Sequence, residues 1–60
     1  MSKFKENDRV VLDYDKGTVI MTKQDGSKAI ILWDSDGEKE EYDAITFFGK
    51  GQGRIITNQI

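Results

Sequence analysis

Ala29 to Ala44 reads AIILWDSDGEKEEYDA, and the reading of this stretch decides the fold. Five apolar residues end in the only tryptophan, Trp33, followed by an Asp36-Gly37 pair and a charged return segment. Two runs bracketing an acidic-glycine turn predict a β-hairpin. A two-residue loop pairs Trp33 with Glu40, Ile31 with Tyr42 and Ala29 with Ala44; a four-residue loop shifts the pairs but keeps the same side chains facing one another. A three-residue bulged loop would reverse that facing.

The same device occurs upstream. Asp25-Gly26 separates Thr18–Lys23 (TVIMTK) from the AIILW run, and Asp-Gly suits the type I′ turn whose twist matches the strands. With Gln24 facing Ser27, Thr22 opposes Ala29, Ile20 opposes Ile31 and Thr18 opposes Trp33. The other face pairs Met21 with Ile30 and Val19 with Leu32. Ile20, Ile31, Trp33, Tyr42 and Ala44 then form the expected core face, because Glu41 and Asp43 break up the opposite one.

Further outward, Asp8–Asp13 (DRVVLD) reads as a first strand and Tyr14–Gly17 as a loop in which Gly17 offers a positive φ. Ile45–Phe48 continues apolar, Gly49–Gly53 is a flexible loop, and Arg54–Asn58 (RIITN) is a last strand. A helical alternative exists for residues 35 to 48, where Ser35 and Glu38 form a capping-box pattern and Tyr42, Ile45 and Phe48 recur at helical spacing. The β-branched and aromatic tail DAITFF ranks it second. The expected domain plan is a flexible segment over residues 1–7, with Phe4 available as an anchor, and a single domain over 8–60.

Sixty residues make one domain that buries only about 60% of its unfolded surface. No cysteine or histidine is present, which removes disulfides, the usual zinc ligand sets and His-dependent triads. No window approaches the roughly 20 apolar residues of a membrane span, and no apolar leader follows the N-terminus, so a cytoplasmic location is expected. Nine Lys and Arg against eleven Asp and Glu give a net charge of −2, which argues against a chain devoted to duplex phosphates. Residues 34–43 hold six acids and one lysine, a net −5, whereas 44–60 hold only Lys50 and Arg54.

With the hairpin placed, AIILWDSDGEKEEYDAI resembles SH3-like small β-barrels of the Tudor and Mib-Herc2 types, in which a strand ending in an aromatic precedes an acidic-glycine turn and an acidic strand. DRVVL followed by a loop and GTV is similar to the start of such barrels, the KOW type included. The resemblance covers most of residues 8–48. It implies an all-β, five-stranded antiparallel SH3-like barrel with a short 3-10 turn near residues 43–47. It also implies an aromatic cage for a methylated cation, drawn from Tyr14, Trp33, Tyr42 and Phe47 with Asp34 or Asp36. The register instead puts Trp33 and Tyr42 in the core, leaving Tyr14 as the free aromatic.

Two kinds of site follow from the residues. Val19, Met21, Ile30 and Leu32 form an apolar quartet opposite the core face, either covered by a terminal strand or offered to a protein partner. Beside them Glu40, Glu41 and Asp43 could attract a basic partner or guard the strand edge against aggregation. Together with Tyr14 these are the expected protein-binding residues. Asp34–Glu38 does not match a calcium loop, because its glycine falls at position four. Gly49–Arg54 lacks a Walker sequence but could hold a phosphate, so Arg9, Lys16, Lys50 and Arg54 are the alternative, nucleic-acid-binding residues. No nucleophile–base pair is present. The expectation is a non-enzymatic protein-interaction module without cofactor or metal, suited to a small phage-type regulator or inhibitor docking on a host protein and able to self-associate. A nucleic-acid-associated module is the alternative.

Overall fold

A computed structural model describes residues 3–57 as an all-β unit with five antiparallel strands in one sheet. The strands are β1 (Arg9–Leu12), β2 (Asp15–Lys23), β3 (Lys28–Trp33), β4 (Lys39–Asp43) and β5 (Arg54–Ile55). Their order is β4-β3-β2-β1-β5, so β4 and β5 are open edges and the sheet does not close on itself. Asn58, expected in the last strand, lies outside the described residues.

Turn chemistry sets the hairpins. Gln24, Asp25 and Gly26 all have positive φ, 51°, 59° and 88°, and form a 3-10 turn in which the Ser27 N–H donates to the Gln24 carbonyl at 3.2 Å, so the loop runs over residues 24–27 instead of the expected two residues. Lys23, Thr22 and Met21 still oppose Lys28, Ala29 and Ile30 in the expected register. A β-bulge at Ile20 then shifts the ladder by one, pairing Val19 with Ile31, Thr18 with Leu32 and Gly17 with Trp33. This reverses two expectations. Val19 is completely buried, and Ile20, expected in the core, is 40% exposed.

The β3–β4 hairpin takes the four-residue loop. Trp33 N–H donates to the Glu38 carbonyl, and Ala29 pairs with Tyr42 and Ile31 with Glu40. The β1–β2 turn is shorter than expected: Asp13 and Tyr14 alone span it at φ 54° and 73°, and Asp15 to Gly17 belong to β2. Gly17 is therefore not a loop glycine. A Cβ there would meet Ile31 Cγ2 at 2.7 Å and Trp33 Cε3 at 3.0 Å, so it makes room for the indole.

The inner face of the sheet is covered by two segments. Residues 44–50 are helical, ending in a π turn over Thr46–Lys50, where a short 3-10 turn near residues 43–47 leading into a flexible loop was expected. Burial of Phe47 overrides the weak helical propensity of this segment. From the N-terminal side Phe4 is also buried, and its N–H donates to the Gly26 carbonyl at 2.8 Å. Phe4, Val10, Val19, Ala29, Ile31, Trp33, Ala44 and Phe47 form the core. Edge-to-face contacts link Trp33 to Tyr42, Tyr42 to Phe47 and Phe47 to Phe4, with centroids 5.9, 5.5 and 5.3 Å apart.

Candidate functional site

The expected protein-binding residues separate into two places. Met21, Ile30 and Leu32 lie on the outer face of the sheet, joined by Ile20 from the bulge, and Met21 is 47% exposed. Val19 is withdrawn from this surface by its burial in the core. Glu41 and Asp43 border the patch, but each is paired: Glu41 with Lys23 at 3.1 Å and Asp43 with Lys28 at 3.8 Å. These pairs offset the Lys23–Lys28 opposition at the hairpin tip.

Glu40 points to the other face and belongs to a different environment. The β1–β2 and β3–β4 turns lie at one end of the sheet and enclose a cleft of about 200 Å³ lined by Leu12, Asp13, Asp15, Trp33, Ser35, Asp36, Glu40 and Tyr42. Asp13, Asp15, Asp36 and Glu40 take part in no ion pair among the described residues, in contrast to Asp25, Asp34, Glu41 and Asp43. Among the described residues no three such side chains are placed to hold a metal ion.

Two aromatic residues form the wall of this cleft. The Tyr42 hydroxyl donates to Glu40 Oε1 at 3.2 Å, and burial, followed by this carboxylate, raises the phenol above its ordinary value. Trp33 is 6% exposed, and its indole N–H finds no acceptor among the described residues. It lies near enough to the Tyr42 hydroxyl to favour the phenolate, without hydrogen-bond geometry. Trp33 and Tyr42 are accordingly core residues that also present an edge to the cleft, whereas Phe47 is wholly core.

Beyond the turn, Asp13 and Tyr14 also border a shallow groove of about 580 Å³ with Val11, Phe48, Gly51, Gln52, Gly53 and Arg54. Tyr14 is 97% exposed despite a positive φ, a conformation that costs a bulky residue. Positive φ at both Asp13 and Tyr14 is the geometry a two-residue hairpin turn needs.

Of the alternative basic residues, Arg54 and Lys16 both lie opposite Val11, with Arg9 two residues along β1 on the same outer face. Lys50 sits apart on the π turn. The Arg9 guanidinium is engaged by both Asp34 oxygens and donates to Thr18 Oγ1 at 2.7 Å. Its hydrogen bonds hold the Asp34 carboxyl below, and the guanidinium above, their ordinary values.

The sequence reading missed Leu12, Asp13 and Asp15 as walls of the cleft. Their signal was the Asp-Tyr-Asp run, in which Asp13 can adopt a left-handed turn without glycine. No protein-family model, curated protein or solved structure matches the chain.

Proposed function

We propose that this chain is a non-enzymatic protein-interaction module that docks a basic surface of its partner against the turn end of the sheet. The reading is carried by one observation: four of the seven carboxylates that have no ion partner among the described residues, Asp13, Asp15, Asp36 and Glu40, gather around an aromatic wall. Desolvated cations pair well with such a surface, through carboxylate attraction and the faces or edges of the rings. Exposed Tyr14 and the outer patch of Ile20, Met21, Ile30 and Leu32 extend the contact area on either side. The strand order, with β1 between β2 and β5 and a helical turn between β4 and β5, supports an SH3-like assignment of Tudor type. A small cytoplasmic regulator or inhibitor, of the kind a phage directs at a host protein, is the role this size suits. Arg54 in the Tyr14 groove supports the second reading, nucleic-acid binding, while Arg9 is already committed to Asp34.

The test is affinity capture from a lysate of the encoding organism or its host, with nuclease treatment and with an Asp36→Asn/Glu40→Gln variant. The proposal expects a protein partner that survives nuclease and is lost with the variant. Capture abolished by nuclease and indifferent to the variant would overturn it in favour of nucleic acid.

A further inference from the structure

The open edge of β4 adds a backbone component to the acidic cleft. Trp33 N–H donates to the Glu38 carbonyl, and Ala44 N–H donates to the Ser27 carbonyl, both at the β3–β4 junction. In an antiparallel ladder hydrogen-bonded and non-bonded pairs alternate, so Glu40 and Tyr42 direct their backbone groups toward β3. The N–H and C=O groups of Lys39, Glu41 and Asp43 therefore point away, to the free edge. Among the described residues no strand covers that edge, and β4 contains neither proline nor bulge.

We infer that the partner contributes an extended basic segment, which adds as a sixth strand to the edge of β4 and places a Lys or Arg in the cleft. The inference rests on the protein-docking reading above and names the form of the partner. A residue placed opposite Glu40 faces the inner side of the sheet, within cross-strand reach of the cleft beside Glu40 and Tyr42. There its cation meets Glu40, Asp36, Asp13 and Asp15, none of which has an ion partner among the described residues. Strand addition supplies affinity through main-chain bonds and specificity through alternate side chains, so basic residues at every second position are the expected signature.

A second copy of this chain does not fit the same edge. Centred on Glu41, an antiparallel β4–β4 pair would set Lys39 against Asp43 but also Glu41 against Glu41, and it would bring further acids to an acidic cleft. Charge complementarity selects a basic strand.

The test uses the full chain and three blocked synthetic peptides in which Thr and Arg alternate: one unmodified, one N-methylated at every Thr amide and one at every Arg amide. Because only every second N–H of an added strand faces β4, one methylated peptide should bind about tenfold more weakly while the other binds like the parent. Asp36→Asn/Glu40→Gln should weaken the parent peptide by a similar factor. If both methylated peptides bind as the parent does, or the variant binds it unchanged, the inference is overturned. Concentration-dependent dimerisation abolished by Glu41→Pro would also overturn it, by assigning the edge to a second copy. A protein partner captured under those circumstances would leave the docking function standing without strand addition.

Discussion

Gly17 lies directly opposite Trp33, and the indole occupies the space a side chain on Gly17 would fill. With Ile31 Cγ2 2.7 Å from the would-be Cβ, Gly17→Ala forces β2 and β3 apart or displaces the tryptophan. The substitution is expected to cost about 1–3 kcal/mol. Urea unfolding checks it as a lower midpoint at unchanged m-value.

The bulge makes a second prediction from adjacent residues. Val19→Asp buries a charge in the core and should abolish cooperative folding, whereas Ile20→Asp, at a site 40% exposed, should cost about 1–2 kcal/mol and leave folding cooperative. Near-ultraviolet circular dichroism with denaturant titration separates the two. The reverse ranking would restore an unbroken ladder.

These neighbours also show what the sequence could and could not reveal. Asp25-Gly26 marked the turn and the pairs nearest it, which the longer loop leaves unchanged. Nothing in GTVIM marks Ile20 as the bulge, because Val19 and Ile20 are equally apolar and the choice is made by packing against Ile31. The inward facing of Ala29, Ile31 and Trp33 was legible because Glu41 and Asp43 break up the opposite face on the return strand. The helical turn at residues 44–50 was legible only as a short 3-10 turn implied by the family resemblance, because its own sequence disfavours a helix and packing of Phe47 and Phe48 on the core stabilises the longer one. Glu40 was legible as part of an acidic strand, but its cleft partners Asp13 and Asp15 are brought to it by a glycine-free turn.

Phe4 joins the N-terminal segment to the core through Phe47, with ring centroids 5.3 Å apart, and through Phe48, 5.0 Å away. Phe4→Ala should lower stability by about 3–5 kcal/mol, a large share of what a domain this small possesses. Thermal unfolding reads the loss.

The Arg9–Asp34 pair gives an acid dependence of known sign. The folded state holds the Asp34 carboxyl below its ordinary value of 3.8, mainly through the Arg9 hydrogen bond. Its contribution is therefore present above that value and is lost as pH falls through the lowered folded value. Asp34→Asn should flatten the stability profile in this acidic window, as followed by urea midpoints at successive pH values.

Tyr42 has the opposite sign at the alkaline end. Burial and then Glu40 raise its folded value above 10.0, so the stabilisation is complete below 10.0 and is lost as pH rises through the folded value. In a Tyr14→Phe background Tyr42 is the sole tyrosine. Phenolate absorbance should then show a midpoint above 10.0, and adding Glu40→Gln should lower it.

The most direct test of the docking account is the indole N–H resonance of Trp33, the only tryptophan, followed by nuclear magnetic resonance as the unmodified Thr/Arg peptide is added. The account predicts that this signal shifts saturably, and that the edge amides of β4 gain protection from hydrogen exchange. An indole signal that stays in place while the peptide binds elsewhere would contradict it.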